Sequence, residues 1–250
     1  MFRSLAFIVL FLFLPKLASA LELKEIEFPS EDGLIITADL YQAHEAPKAP
    51  MILLFHQAGS SRGEYRTIAP RLNDLGFNAM AIDQRSGRSF DGVKNQTVPR
   101  AKKAKKGRKY KHALPDLRAA IAFARKAYPE SPLIIWGSSY SSSLVLKLAA
   151  EQGLADGVLA FSPGEYFGGS WIRDTAGDIT IPTFITSAKN ETRKWRRIFD
   201  AVGTEKKVGF KPPKQGKHGS SALHSRQGKK ADPYWQAVEA FLTEHWATTP

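Results

Sequence analysis

Leu133-Ile134-Ile135-Trp136-Gly137-Ser138-Ser139-Tyr140-Ser141, followed by the run Ser142 to Glu151, is the stretch that decides the fold. Four consecutive apolar residues suit a strand buried on both faces. The run behind them carries apolar residues at helical spacing. Between the two, Gly137 and Ser141 stand two before and two after Ser139, and both are small enough to let neighbouring backbone approach. A strand, a sharp turn with a central serine and then a helix would set that serine at the top of a sheet. The usual pattern ends in glycine, and here the last position is Ser141. A serine-rich turn between strand and helix is also a common helix cap, so the flanking chain has to decide.

Outward from this stretch, strand and helix patterns alternate. Upstream, Glu22 to Phe28 and Leu34 to Leu40 alternate apolar and polar residues around Glu31-Asp32-Gly33, which predicts an antiparallel hairpin at a sheet edge. Met51 to Phe55 and Phe77 to Ile82 read as buried strands, with helical spacing from Tyr65 to Leu75 between them. Gln84 to Lys111 reads as one long loop, and Pro115 to Tyr128 as an amphipathic helix. Downstream, Gly157 to Phe161, Thr183 to Thr186 and Lys207 to Phe210 are short strands, and Glu191 to Val202 is helical in pattern. A last helix opens with Asp232 as its cap and Pro233 in its first turn. Strands alternating with helices predict a mostly parallel sheet with helices on both faces, a three-layer α/β/α chain led by the hairpin.

Residues 1–20 carry Arg3, a wholly apolar run from Leu5 to Leu14, and Ala18-Ser19-Ala20. These are the marks of a secretory signal peptide cleaved after Ala20, leaving one domain over residues 21–250. The apolar run is too short to span a bilayer, so no transmembrane segment is expected after cleavage. The chain has no cysteine, which excludes disulfides, thiolate catalysis and cysteine-based zinc sites. Export without disulfides suits a bacterial periplasm, or secretion from such a cell. No metal motif and no glycine-rich phosphate loop occurs, so no cofactor is expected. Asn95-Gln96-Thr97 and Asn190-Glu191-Thr192 fit the glycosylation pattern, a frequent chance match.

The net charge is +12. Most of it lies between Asp91 and Asp116, where there is no acid and where Arg100, Lys102, Lys103, Lys105, Lys106, Arg108, Lys109 and Lys111 fall. A basic stretch of this kind, about residues 92–112, is expected to be a solvated, mobile loop. Its functional reading is attraction to an anionic surface or polymer, with no specific nucleic acid implied.

Four features stand in a fixed order: His56-Gln57-Ala58-Gly59-Ser60 after an early strand, the turn at Ser139, an acidic loop after a late strand, and His218-Gly219 near the end. In this the chain resembles the α/β-hydrolase superfamily, and within it the small serine esterases similar to dienelactone hydrolase. The resemblance covers residues 22 to 246. It implies a nucleophile elbow at Ser139 and the order nucleophile, acid, histidine. It implies a small-molecule ester or acyl substrate. The stretch from Phe161 to Pro182 is too short for a large cap domain, so an open pocket is expected, with Tyr166, Phe167 and Trp171 as walls.

The chemistry behind that order is general. A serine hydroxyl needs a base to take its proton as it attacks, and the base needs a carboxylate to fix its tautomer. His44, His56 and His112 precede the turn and do not fit the order. His218 occupies the place of the family's base, with His224 as fallback, and His245 reads as a helix-end partner. For the acid, the family position falls on Asn190. Glu191 follows immediately with a longer reach and ranks first, Glu165 second, and Asn190 third as a neutral orienter. By the same resemblance the oxyanion donors are the backbone N–H groups of Gln57 and Tyr140. Two other readings stay open: a peptidase or amidase using the same triad, and a noncatalytic protein binding anionic envelope polymers through the basic loop.

Overall fold

The computed structural model describes residues 22–45 and 47–246. The expected signal peptide lies outside the described residues. An antiparallel hairpin, β1 (Glu22–Pro29) and β2 (Ile35–Gln42), opens the fold. Then come β3 (Met51–Phe55), α1 (Ala69–Asp74), β4 (Asn78–Ile82), the short strands β5 (Ser89–Phe90) and β6 (Val93–Lys94), α2 (Thr97–Lys103) and α3 (Leu114–Ala127). The second half holds β7 (Leu133–Ser138), α4 (Tyr140–Ala149), β8 (Gly157–Phe161), α5 (Arg173–Ala176), β9 (Thr183–Thr186), α6 (Thr192–Ala201), β10 (Lys207–Phe210) and α7 (Asp232–His245).

Eight strands form one sheet in the order β1-β2-β4-β3-β7-β8-β9-β10. β1 pairs antiparallel with β2 and β2 antiparallel with β4, whereas β4, β3, β7, β8, β9 and β10 run parallel, and β5 and β6 form a separate antiparallel pair. The two-residue period of each strand divides its side chains between two cores. Leu53, Ile135, Val158 and Ala160 pack with α3, α4 and α6 on one face. Ile52, Leu54, Trp136 and Phe161 pack with α1 and α7 on the other. Every residue of β3, β4, β7, β8 and β9 is buried. Their continuous apolar reading follows from helices covering both faces. No helix among the described residues is long and apolar enough to cross a membrane.

The segment expected as one basic loop is structured. Asp83 and Asn95 build it: Asp83 accepts the Gln96 N–H at 2.7 Å, and Asn95 accepts the Val98 N–H at 2.9 Å to cap α2. Asn95 is buried and its amide also donates to the Gln84 carbonyl at 2.9 Å, so it is a structural side chain rather than a sugar acceptor. The acids missing from the segment arrive from elsewhere in the chain. Arg100 pairs with Glu27, and Lys106 with Asp32 at 3.2 Å. Buried Arg85 is held by Asp116 at 2.7 Å and Asp32 at 2.8 Å. Lys102, Lys103, Lys105, Arg108, Lys109 and Lys111 make no ion pair among the described residues and are exposed.

Two smaller expectations also shift. Tyr65 lies in a short 3₁₀ turn, Arg62–Tyr65, and the helix proper begins at Ala69. Ala231, not Asp232, stands at the cap of α7, because Asp232 makes no side-chain cap bond and lies in the first turn.

Candidate active site

The carboxyl ends of β3, β7, β8 and β9 deliver the site. Ser139 follows β7 directly and precedes α4, with φ 58° and ψ −123°. A non-glycine residue held there costs about 1–3 kcal/mol. The buried strand and helix on either side impose it, and the Ser139 N–H is fixed to the Phe161 carbonyl at 2.8 Å. Gly137 permits the turn: a Cβ there would stand 2.4 Å from the Ser141 carbonyl oxygen. Ser141 replaces the usual glycine without strain because its hydroxyl is used. It donates to the His56 carbonyl at 2.6 Å and accepts from the Gln84 amide at 2.8 Å, tying the elbow to the early loop.

His218 lies on the loop after β10. Its Nε2 is 2.7 Å from Ser139 Oγ and its Nδ1 is 2.7 Å from Glu191 Oε1. An ionised carboxylate only accepts, so Nδ1 carries the proton and Nε2 is free to accept from the serine hydroxyl. Burial works against the Glu191 charge. Hydrogen bonds from His218 and Ser162, with the charges of His218 and Lys194, outweigh it and hold the carboxyl below its ordinary value. A depressed carboxylate stabilises the fold above its unfolded pKa, and that contribution fades as pH falls through the lowered value. Glu191 therefore stays charged across the neutral range.

The other two acid candidates are placed elsewhere. Glu165 caps α5, accepting the Ile172 and Arg173 N–H groups at 2.9 Å each. Asn190 is exposed in the 3₁₀ turn Lys189–Glu191. His224 is buried, with its Nε2 3.4 Å from Asp91 Oδ2, and is not part of the Ser139 cluster. His56 is also buried: Nδ1 meets the Gln57 carbonyl at 2.8 Å and Nε2 accepts the Gln84 N–H at 3.1 Å. Burial lowers it to about 4, consistent with a neutral structural ring.

The expected oxyanion donor Gln57 needs correction. Its N–H is already given to the buried Glu64 carboxylate at 2.8 Å. The next N–H along the turn, that of Ala58, has no hydrogen-bond acceptor among the described residues, and neither has that of Tyr140 at the start of α4.

Two further side chains at the site were not singled out from sequence. Ser162, at the end of β8 with φ 59°, donates to Glu191 Oε2 at 2.8 Å and accepts the Gly219 N–H at 2.9 Å. It thus braces the acid against the histidine loop. Its only advance signal is a small polar residue just past a strand end. Glu64 is the other. Tyr166 does stand as a wall: its hydroxyl donates to the Ser162 carbonyl at 2.8 Å and lies against the Ser139 hydroxyl. Phe167 and Trp171 instead pack on each other, ring centroids 5.1 Å apart, and on the core. His218 keeps 39% of its side chain exposed, so the site is open to solvent.

A sheet of this order with a serine elbow after β7 defines the fold: the chain has the α/β-hydrolase fold. A family model described as "Serine aminopeptidase, S33" matches residues 46–168, just under half of the chain. That span includes Ser139 and the His56 turn but ends before Glu191 and His218. The fold is shared with an esterase from Pyrococcus furiosus, at 17% identity and TM-score 0.67, covering 90% of this chain and 93% of that one. A dienelactone hydrolase from Anabaena variabilis superposes at 13% identity and TM-score 0.68, covering 90% and 98%. A cold-adapted esterase from an Arctic intertidal metagenomic library does so at 18% identity and TM-score 0.67, covering 92% and 95%. A search of curated proteins by sequence found no match.

Proposed function

We propose that this chain is an exported serine hydrolase that cleaves carboxylic esters through an acyl-enzyme. The observation that carries it is the continuous series Ser139 Oγ, His218, Glu191, with both links at 2.7 Å. In this reading Ser139 attacks the ester carbonyl while His218 Nε2 takes its proton. The N–H groups of Tyr140 and Ala58 hold the developing oxyanion. The imidazolium, steadied by Glu191, returns the proton to the leaving alcohol, and water then hydrolyses the acyl-serine by the same steps. Esters are preferred over amides because the similar folds named above are esterases and a dienelactone hydrolase. A peptidase would use the same series, and the description of the matching family keeps that reading in view. Residues 1–20 support export to the periplasm or beyond.

The positive surface adds a preference. A cavity of about 390 Å³ is lined by Ala58 and Gly59 of the oxyanion turn together with Arg88, Arg108 and Tyr110. An anionic ester would be drawn to it, and the attraction would be screened by salt. A panel of short-chain activated esters and matching anilides, neutral and carboxylate-bearing, tests both parts. Esters should turn over well ahead of anilides, and raising ionic strength from about 0.01 M to about 0.5 M should depress only the anionic esters. Faster turnover of anilides would favour the peptidase. Salt-sensitive binding of an anionic polymer with no turnover of any substrate would favour the noncatalytic alternative.

A further inference from the structure

Glu64 is fully buried, yet no arginine or lysine touches it among the described residues. The neighbouring buried acids Asp83 and Asp116 are paired with Arg62 and Arg85. A lone buried carboxyl is costly, so its contacts call for a reason. One oxygen accepts the Ser138 hydroxyl at 2.7 Å, directly before the nucleophile. The other accepts the Gln57 N–H at 2.8 Å, directly before the Ala58 donor. Ser138 Oγ in turn accepts the Ser220 N–H at 2.8 Å, two residues beyond His218. Gly219 is required at this junction, since a Cβ there would stand 2.4 Å from Ser138 Oγ.

We propose that Glu64 is a positioning residue: its ionised carboxylate locks the oxyanion turn, the serine elbow and the histidine loop into one geometry, and its protonation unlocks them. Ionised, it is a pure acceptor facing two donors, and every bond is satisfied. Protonated at the oxygen that faces Ser138, it still accepts the Gln57 N–H but meets the Ser138 hydroxyl donor to donor, so that bond has to reverse or break, and the Ser138 hydrogen loses its partner. Burial pushes Glu64 up to about 7, against the bonds from Gln57 and Ser138 and the charge of His218, which favour ionisation. The other titratable groups around it are Tyr65, raised by burial and by Glu64 itself, and His56, which burial keeps neutral. The change of state therefore falls in the neutral range.

The catalytic arm of this inference rests on the proposed hydrolase reading. Glu64→Gln keeps the shape and removes the charge. In kcat/KM profiles with a short-chain ester, the variant should match the wild type near pH 5.5, where both side chains are neutral, and fall to about one tenth of it near pH 8.5, in kcat with KM steady, as a charged bond gives way to a neutral one. A ratio that does not change with pH would mark Glu64 as merely structural and overturn the proposal. Should Glu64→Gln fail to fold, Ser138→Ala cuts the elbow link and keeps the carboxyl. It should lose kcat above neutral pH, and full activity there would also overturn the proposal. An arm independent of turnover uses infrared difference spectra of Ser139→Ala against Ser139→Ala/Glu64→Gln. A carboxyl titrating near neutrality should be present in the first and absent from the second. Its absence from both would sink the inference even if the hydrolase reading stands, and its presence would uphold the Glu64 ionisation even if no ester is cleaved.

Discussion

Ser139→Ala should lower kcat/KM for a short-chain activated ester by at least about 10³-fold, while stability should change by no more than about 1 kcal/mol. The size follows from what the hydroxyl does. Without it no acyl-enzyme forms, and only water activated by the remaining groups can attack. The small effect on folding follows from its surroundings. Ser139 Oγ is bonded to His218, whose ring is partly open to water and can exchange one partner for another. The strained backbone at φ 58° is fixed by the Phe161 carbonyl and by Gly137, neither of which the substitution touches. Steady-state kinetics and a thermal melt on the same preparation check both halves. Undiminished turnover would remove Ser139 from the mechanism.

Glu191→Gln should cost between about 10² and 10⁴-fold in kcat, with little change in KM. The amide cannot stabilise an imidazolium, and it can present its NH₂ to His218 Nδ1 and so favour the wrong tautomer. Ser162 still has an oxygen to donate to, so the loop is expected to hold its shape. Glu191→Asp should recover part of the loss, because the carboxylate retreats from 2.7 Å by about one carbon–carbon bond, ~1.5 Å. The loss should be the same at every pH in the neutral range, since Glu191 is held charged throughout it. That pH-independence separates it from Glu64. A Glu191→Gln variant with wild-type kcat would show that the acid is not needed.

Much of this was legible in the residues, for local reasons. Strands buried on both faces read as unbroken apolar runs, and the helices between them kept their spacing, so the layer order could be read off. That Ser139, His218 and Glu191 would come together was legible because their places are set by strand ends, which local pattern marks. Glu191 rather than Asn190 meets the histidine because the 3₁₀ turn leaves Asn190 exposed and brings the longer side chain inward. What was not legible depends on contacts between distant segments. The Gln57 N–H looked available until Glu64, seven residues on, was seen to accept it. Glu64 gave no sign of these contacts, because its other partner is Ser138, 74 residues away. The basic stretch read as a solvated loop because its acids, Glu27 and Asp32, belong to the opening hairpin. Asn95 matched a glycosylation triplet, when its side chain caps a helix from inside the fold.

The central claim is that Ser139 is an activated nucleophile. Reaction with a fluorophosphonate, followed by peptide mass spectrometry, tests it without any assumption about substrate. The account predicts one covalent adduct, on Ser139, formed rapidly in the wild type and lost in Ser139→Ala and His218→Ala. No adduct, or an adduct on another serine with Ser139 unmodified, would contradict it.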